Sequence, residues 1–110
     1  MSLMADDPGD VTRYFCYMVR CANGAFYTGW TTNPLRRVAE HNAGRGARYT
    51  RMHGPVTLVY VEEVTDHVSA LKREVQIKRM GHARKAALAE ANPLPEGFAG
   101  EMRMNGEGGT

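Results

Sequence analysis

The pattern of apolar and polar positions predicts a small sheet whose first two strands form a hairpin. Residues 14–19 and 25–31 are rich in aromatic and β-branched residues, and Asn23-Gly24 lies between them. Two such runs around an Asn-Gly pair are a strong hairpin signal. Both runs are apolar on both faces, so we expect the hairpin to be central and covered in its sheet. Residues 56–61 (VTLVYV) predict a third strand.

Helical periodicity accounts for most of the remaining chain. Asn33 suits an N-cap, Pro34 suits the first helical position, and the glycines at 44 and 46 end that helix. Residues 44–54 are typical of a basic loop, 68–80 predict a second helix, and 82–90 predict a third helix with 86–88 facing the sheet. The order ββαβαα therefore predicts an α/β (α+β) fold in which a three-stranded sheet is flanked by helices.

The 110 residues fit one domain, which we place at 13–91, between flexible tails at 1–12 and 92–110. No apolar run approaches the length of a membrane span, so we expect no membrane association. Cys16 and Cys21 are five positions apart in an extended stretch, which directs them to opposite faces and argues against a disulfide. Free thiols fit a cytoplasmic protein.

Charge is distributed unevenly along the chain. Residues 13–90 contain 13 Lys and Arg against 6 Asp and Glu, a surplus of seven, whereas the formal charge of the whole chain is only +2. A basic body suits a polyanionic partner such as nucleic acid. A solvated basic surface without a partner is the alternative.

Several polar residues occur in a recognisable order. Residues 15–17 (FCY) precede 27–29 (YTG) by about ten positions, Arg37 follows Tyr27 by ten, and His41 follows Arg37 by four. With Glu74 in the second predicted helix, this set resembles the GIY-YIG nucleases over residues 14–90. The run from Arg36 to Arg51 is similar to that of the stand-alone, single-domain bacterial subgroup (YhbQ-like). The first motif lacks Gly and Ile and the second has Thr28 in place of Ile, which we interpret as packing changes.

The resemblance implies a nuclease fold and a set of functional residues. It implies one divalent metal, Mg²⁺ or Mn²⁺, because a single protein carboxylate with phosphate oxygens and waters suits these ions. The implied metal ligand is Glu74, and the implied catalytic residues are Tyr17, Tyr27, Arg37, His41 and Glu74. We also expect nucleic-acid contacts from the basic loop and the residues around it, namely Arg36, Arg45, Arg48, Tyr49, Thr50, Arg51 and Lys78.

The two tyrosines can serve one site only if they share a face of the sheet. A three-residue turn at 22–24, with Gly24 left-handed, pairs Tyr17 with Gly29 and places Tyr27 on the same face as Tyr17. A two-residue turn pairs Tyr17 with Trp30 and separates the tyrosines. The functional hypothesis therefore requires the longer turn, and ordinary core packing is the alternative for each tyrosine.

Arg37 and His41 are neighbours at i,i+4 on a helix face that we expect to lie away from the apolar positions 35, 38 and 39. An arginine there can donate to phosphate and a histidine can relay a proton. The alternative is a solvated surface pair without a catalytic role.

Glu74 is the most informative single residue. Ala70, Leu71, Val75 and Ile77 define an apolar arc of the predicted helix, and Glu74 falls inside it. A carboxylate on a core-facing arc needs a partner, either an arginine in a buried ion pair or a metal ion.

These residues favour a metal-dependent endonuclease that hydrolyses phosphodiester bonds in DNA, with a structure-specific role in repair or recombination. In this hypothesis Tyr17 helps to deprotonate the attacking water, and a partner protein supplies specificity. We expect DNA rather than RNA. One alternative is a nucleic-acid-binding module with little or no catalysis, and another is a structural or protein-interaction domain.

Overall fold

The computed structural model describes residues 12–98 and contains one three-stranded antiparallel sheet. Its strands are β1 (Tyr14–Arg20), β2 (Phe26–Thr31) and β3 (Thr57–Val64), in the spatial order β2-β1-β3. The central strand is therefore β1 alone. The prediction that the whole hairpin is central was wrong for β2, which is an edge strand because β3 returns to pair with β1 and not with β2.

Within residues 12–98, the sheet is flanked by four helices of six residues or more: α1 (Pro34–Asn42), α2 (Arg48–His53), α3 (His67–Lys78) and α4 (His82–Ala91). The predicted order ββαβαα is confirmed, with one addition. The short helix α2 lies inside the segment that the sequence predicted as a basic loop. Its six residues form little more than one turn, too few for apolar periodicity to identify.

Side-chain caps explain where two of these helices begin. The Asn33 carboxamide oxygen accepts a hydrogen bond from the Arg36 amide at 3.2 Å, and Pro34 follows at the first position of α1. The Asp66 carboxylate accepts from the Ser69 amide at 2.8 Å at the start of α3. Each cap supplies a partner for an amide that the helix itself leaves unpaired.

The hairpin turn has three residues, as the functional hypothesis required. The Cys21 amide donates to the Ala25 carbonyl at 2.8 Å, and Gly24 has a φ of 88°, which only glycine adopts readily. Tyr17 therefore pairs with Gly29. The predicted register is confirmed.

Each face of the sheet has its own apolar cluster. One face packs Tyr17, Val19 and Cys21 against Val38 of α1 and Leu58. The other face packs Cys16 and Met18 against α3 and α4. The cysteines are both buried and free, on opposite faces, as predicted.

The apolar arc predicted on α3 is only partly correct. Ala70 and Ile77 are fully buried, but Leu71 is 41% exposed and Val75 is 46% exposed. The orientation of α3 therefore buries Ala70 and Ile77 and leaves Glu74 partly exposed beside them. Leu71 and Val75 face outward. On α4, the prediction that 86–88 face the sheet holds for Leu88, which packs on the second cluster, but not for Ala87, which is exposed.

The packed region continues beyond the predicted domain boundary at residue 91. Leu94 and Phe98 pack against the cluster around Tyr17, and the Phe98 ring lies 6.2 Å from that of Phe15. The flexible tail predicted at 92–110 was thus placed too early for residues 92–98. The rest of that segment, 99–110, and residues 1–11 of the tail predicted at 1–12 lie outside the described residues. Within 12–98, no helix has the length and apolar character needed to cross a membrane.

Candidate active site

A buried hydrogen-bonded chain connects β1 to α1 and α2. The Tyr17 hydroxyl lies 2.9 Å from His41 Nε2, and His41 Nδ1 lies 2.7 Å from the Thr50 hydroxyl. His41 is only 2% exposed and shares the buried side of α1 with Val38. The expectation that the Arg37–His41 face lies away from the apolar positions was therefore wrong for His41. The imidazole can be buried because both of its nitrogens have partners.

Tyr27 lies on the same side of the sheet and completes the surroundings of the imidazole. Its ring centroid is 5.5 Å from that of His41 in an edge-on arrangement, and the Tyr17 ring centroid is 5.9 Å away. The two phenols thus meet at one histidine, which the register of the hairpin makes possible.

Two glycines provide the space for this arrangement. A Cβ at Gly29 would lie 2.7 Å from the Tyr17 hydroxyl oxygen, and a Cβ at Gly46 would lie 2.1 Å from His41 Nδ1. A side chain at either position would force a neighbouring group to shift. The pairing of Gly29 with Tyr17 was predicted, whereas Gly46 was interpreted only as the end of a helix. Gly46 contacts His41 because the segment after α1 folds back over the imidazole, and the sequence around Gly46 does not predict that path.

Arg37 lies at the open side of this cluster. Its side chain is 32% exposed, and its Nη1 donates to Glu40 at 3.0 Å. The guanidinium therefore remains accessible to an anion that approaches from solvent. Its positive charge also acts on the buried groups beside it.

Burial and charge set the protonation states of the two central groups. Burial raises the pKa of Tyr17 to about 12, although the nearby Arg37 cation opposes that rise. Burial also lowers the pKa of His41 below its usual value of 6.5, and Arg37 lowers it further. At neutral pH the site therefore contains a neutral phenol hydrogen-bonded to a neutral imidazole.

Glu74 extends from α3 and forms an ion pair with Lys78, whose Nζ is 2.8 Å from Oε2. Its partner is therefore a lysine and not the arginine considered from the sequence. The pair is not sealed, since the Glu74 side chain is 16% exposed and that of Lys78 is 51% exposed. Glu74 contributes to the raised pKa of Tyr17, and Tyr27 contributes to the raised pKa of Lys78 after the larger effect of Glu74 itself. The charges of the ion pair therefore act on the tyrosines and are acted on by them, although α3 packs on the face of the sheet opposite to Tyr17.

The carboxylate can be tested as a metal ligand from its surroundings. Within residues 12–98, no three His, Cys, Asp or Glu side chains cluster as a metal site would require. A closed protein cage is thus absent from this part of the chain. A partly exposed carboxylate paired with one exposed lysine does fit a hard cation that keeps most of its waters, such as Mg²⁺.

The residues predicted to bind nucleic acid divide into two groups. Thr50 is fully buried against His41, so it cannot reach a nucleic acid, and that prediction was wrong. The Tyr49 hydroxyl accepts from Asn23 at 3.2 Å while the side chain remains exposed. The other predicted positions are exposed on the surface: Arg36, Arg45, Arg48, Arg51 and Lys78. Arg45 and Arg51 are next in the chain to Gly46 and Thr50, the two residues that contact His41 Nδ1.

Asn42 is a supporting residue that the sequence did not identify. Its carboxamide accepts from the Val56 amide at 2.7 Å and donates to the Val56 carbonyl at 3.0 Å. This double contact joins the end of α1 to the start of β3. The chain between Asn42 and Val56 is therefore held as a closed loop, and this loop includes Gly46 and Thr50, which contact His41.

The sequence of this chain resembles a known domain family and several known proteins. A sequence model of the GIY-YIG catalytic domain matches residues 13–86. A UPF0213 protein of Halobacterium salinarum is 50% identical over 72 residues, which cover 66% of this chain and 94% of that protein. A UPF0213 protein of Desulfotalea psychrophila is 49% identical over 84 residues, which cover 76% of each chain.

A solved structure shows the same fold. The solution NMR structure of a protein from E. faecalis has a TM-score of 0.51 and 34% sequence identity, and the match covers 74% of this chain and 86% of that one. Its likeness confirms the three-stranded sheet with flanking helices. The family model and the relatives together show that this chain belongs to the GIY-YIG family, among its small UPF0213 members.

Proposed function

We propose that this protein is a metal-dependent endonuclease that hydrolyses phosphodiester bonds in DNA. The observation that carries the proposal is the buried hydrogen bond of 2.9 Å between the Tyr17 hydroxyl and His41 Nε2, with Arg37 at its open side. A neutral imidazole that faces a phenol can take the phenol's proton, which turns an otherwise weak base into one that can activate water.

The proton path follows from the protonation states. Tyr17 has a pKa of about 12 and is a neutral phenol at pH 7, so it cannot act as a base by itself. As water attacks, its proton passes to the Tyr17 oxygen while the phenolic proton passes to His41 Nε2. The water oxygen bonds to phosphorus, the bond from phosphorus to the leaving oxygen breaks, and that oxygen takes a proton from solvent.

Arg37 and Tyr27 orient and stabilise the phosphate in this mechanism. The Arg37 guanidinium can donate two hydrogen bonds to phosphate oxygens as their negative charge grows. Tyr27 packs edge-on against His41 and presents its phenol beside that of Tyr17. We assign it the orientation of the water or of the phosphate.

Glu74 is the residue that would hold one divalent ion, Mg²⁺ or Mn²⁺, in place of its contact with Lys78. When bound, the ion supplies charge stabilisation for the phosphate and the leaving oxygen. Lys78 would then be released from Glu74 and could contact phosphate.

We further propose that the exposed arginines near the site hold the backbone of a structured DNA during repair or recombination. Arg45, Arg48 and Arg51 would contribute sequence-independent phosphate contacts. Such contacts carry no sequence information, so a partner protein would supply specificity in the cytoplasm.

The decisive experiment is a panel of branched, nicked, single-stranded and duplex DNAs, with one structured RNA, incubated with Mg²⁺ or Mn²⁺. We expect cleavage of at least one structured DNA, its loss in excess EDTA, and a rate at least 100-fold lower for Glu74→Gln. Glu63→Gln is the matched control. Glu63 lies on β3 and forms an exposed ion pair with Arg13, so this variant should cut at the wild-type rate. Equal rates for Glu74→Gln and wild type would refute the assignment.

A nucleic-acid-binding module without catalysis is the second candidate. The observation that favours it is the Glu74–Lys78 contact of 2.8 Å, which satisfies the carboxylate without a metal. This candidate predicts salt-sensitive binding that is unchanged in Glu74→Gln, together with no cleavage of any substrate in the panel.

A further inference from the structure

Thr50 occupies a position that phosphate binding does not explain. It lies in α2, is fully buried, and its hydroxyl oxygen is 2.9 Å from the Ala47 carbonyl oxygen and 2.7 Å from His41 Nδ1. A buried hydroxyl between two polar atoms must divide one proton and two lone pairs between them.

The three contacts have one assignment that satisfies all of them. A carbonyl oxygen only accepts, so the Thr50 hydroxyl donates its single proton to Ala47. Thr50 must then accept from His41, which requires a proton on Nδ1. A neutral imidazole carries one N–H, so Nε2 is bare and accepts from the Tyr17 hydroxyl at 2.9 Å.

Gly46 closes the Nδ1 side of the ring against other partners. A Cβ at this position would lie 2.1 Å from Nδ1 and 2.8 Å from His41 Cα, so the backbone passes directly over the imidazole. Thr50 is therefore the group that decides which nitrogen carries the proton.

We propose that Thr50 is a positioning residue that fixes His41 in the Nδ1–H tautomer, so that Nε2 faces Tyr17 as a proton acceptor. In the opposite tautomer, the Nε2–H would point at the Tyr17 oxygen and could not take its proton. The proposal deepens the proposed function and depends on it for its catalytic consequence, but the tautomer itself does not depend on activity.

The first test is the nitrogen NMR spectrum of the ¹⁵N-histidine-labelled protein, in which a protonated and a bare ring nitrogen have clearly different shifts. We expect a protonated Nδ1 and a bare Nε2 at His41 in the wild type and in Thr50→Ser. We expect a shift toward the Nε2–H tautomer in Thr50→Val, which keeps the shape of threonine without its hydroxyl. An Nε2–H tautomer in the wild type overturns the proposal even if Thr50→Val fails to fold, as does an unchanged tautomer in a folded Thr50→Val.

The second test is kinetic, on whichever DNA the panel shows to be cut. Thr50→Val should lower kcat at least tenfold with little change in KM, and Thr50→Ser should restore it, because the hydroxyl and not the packing is required. A kcat for Thr50→Val equal to that of wild type overturns the proposal. The two tests separate the claims: the predicted tautomer without any cleavage rejects only the nuclease, whereas cleavage with the wrong tautomer rejects only the role of Thr50.

Discussion

The hydroxyl of Tyr17 and Nε2 of His41 lie 2.9 Å apart although the two residues are 24 positions apart in the chain. Tyr17 is 1% exposed and His41 is 2% exposed, so bulk water has little access to their hydrogen bond, and the attacking water of the proposed mechanism has to approach the Tyr17 oxygen from the side of Arg37. A buried hydrogen bond is strengthened by the low local dielectric constant. Removing one partner is costly, because the other partner is left without a hydrogen bond, even to water. The pair therefore contributes both to folding and to the proposed chemistry.

Replacing Tyr17 with Phe separates these two contributions. The ring remains but the proton donor and acceptor are lost, so we expect kcat to fall by about 100-fold or more, in the range that general acid–base catalysis contributes. Stability should fall by roughly 1–2 kcal/mol because His41 Nε2 becomes unpaired. Single-turnover cleavage and urea unfolding measure the two effects.

The matched control for this change is Tyr60→Phe. Tyr60 is also buried and donates its hydroxyl to Glu62, but it belongs to the cluster on the opposite face of the sheet. It should lose stability without losing kcat. If Tyr17→Phe cuts as fast as Tyr60→Phe, Tyr17 takes no part in proton transfer.

The lowered pKa of His41 predicts the acid side of the pH profile. His41 must be neutral to accept the Tyr17 proton, so the rate should decline only as the pH falls through a midpoint below 6.5, the usual value for histidine. Burial is the main cause of the shift and the Arg37 cation adds to it, while Glu40 opposes it. An NMR titration of His41 should therefore give a midpoint below 6.5 that rises in Arg37→Gln.

The same shift affects stability in a defined direction. The His41 imidazole takes up a proton near pH 6.5 in the unfolded chain but only at lower pH in the folded chain. The contribution of His41 to the free energy of unfolding is therefore complete above pH 6.5. It decreases as the pH falls from 6.5 toward the pKa of the folded state. A His41 midpoint at or above 6.5 would contradict both expectations.

Gly29→Ala should disturb the site through Tyr17. The added Cβ would lie 2.7 Å from the hydroxyl oxygen and 2.9 Å from Cζ of Tyr17, and that ring is held by His41. We expect a loss of about 1–3 kcal/mol from overpacking and at least a tenfold lower kcat, measured by urea unfolding and cleavage. Gly81→Ala, where an added Cβ meets nothing within 4 Å, should leave kcat unchanged, and because Gly81 is the N-cap of α4 it should lower stability by no more than about 1 kcal/mol. A Gly29→Ala protein with wild-type kcat would show that the position of the Tyr17 ring is not limiting.

Thr28 offers a way to stabilise the domain. Its hydroxyl is buried without a hydrogen-bond partner among residues 12–98, and the side chain is only 2% exposed. Thr28→Val keeps the shape and removes the unsatisfied oxygen, so we expect the free energy of unfolding to rise by about 1 kcal/mol. Urea denaturation at constant m measures this change.

Thr31→Val is the opposite case on the same strand. The Thr31 hydroxyl accepts from the Asn33 amide at 3.0 Å, so its removal should destabilise the protein by about 1 kcal/mol. Destabilisation by both variants would mean that the Thr28 hydroxyl does have a partner in solution.

The local pattern of the sequence accounted for most of the architecture. Asn23-Gly24 and its flanking apolar runs predicted the hairpin, the cap at Asn33 predicted the start of α1, and the spacing of Tyr17, Tyr27, Arg37 and His41 resembled the GIY-YIG order. These features depend on backbone conformation over a few neighbouring residues, and the residues themselves specify it.

Only the tertiary structure decided which faces are covered and which polar groups meet. Periodicity shows which residues share a side of their own helix, but not what packs against that side. His41 was therefore expected at the surface and is buried between two tyrosines, Thr50 was assigned to phosphate and holds His41, and Glu74 meets Lys78. Each outcome depends on contacts between segments distant in sequence or on the roll of a helix against the sheet, and these are settled by the packing of the whole domain.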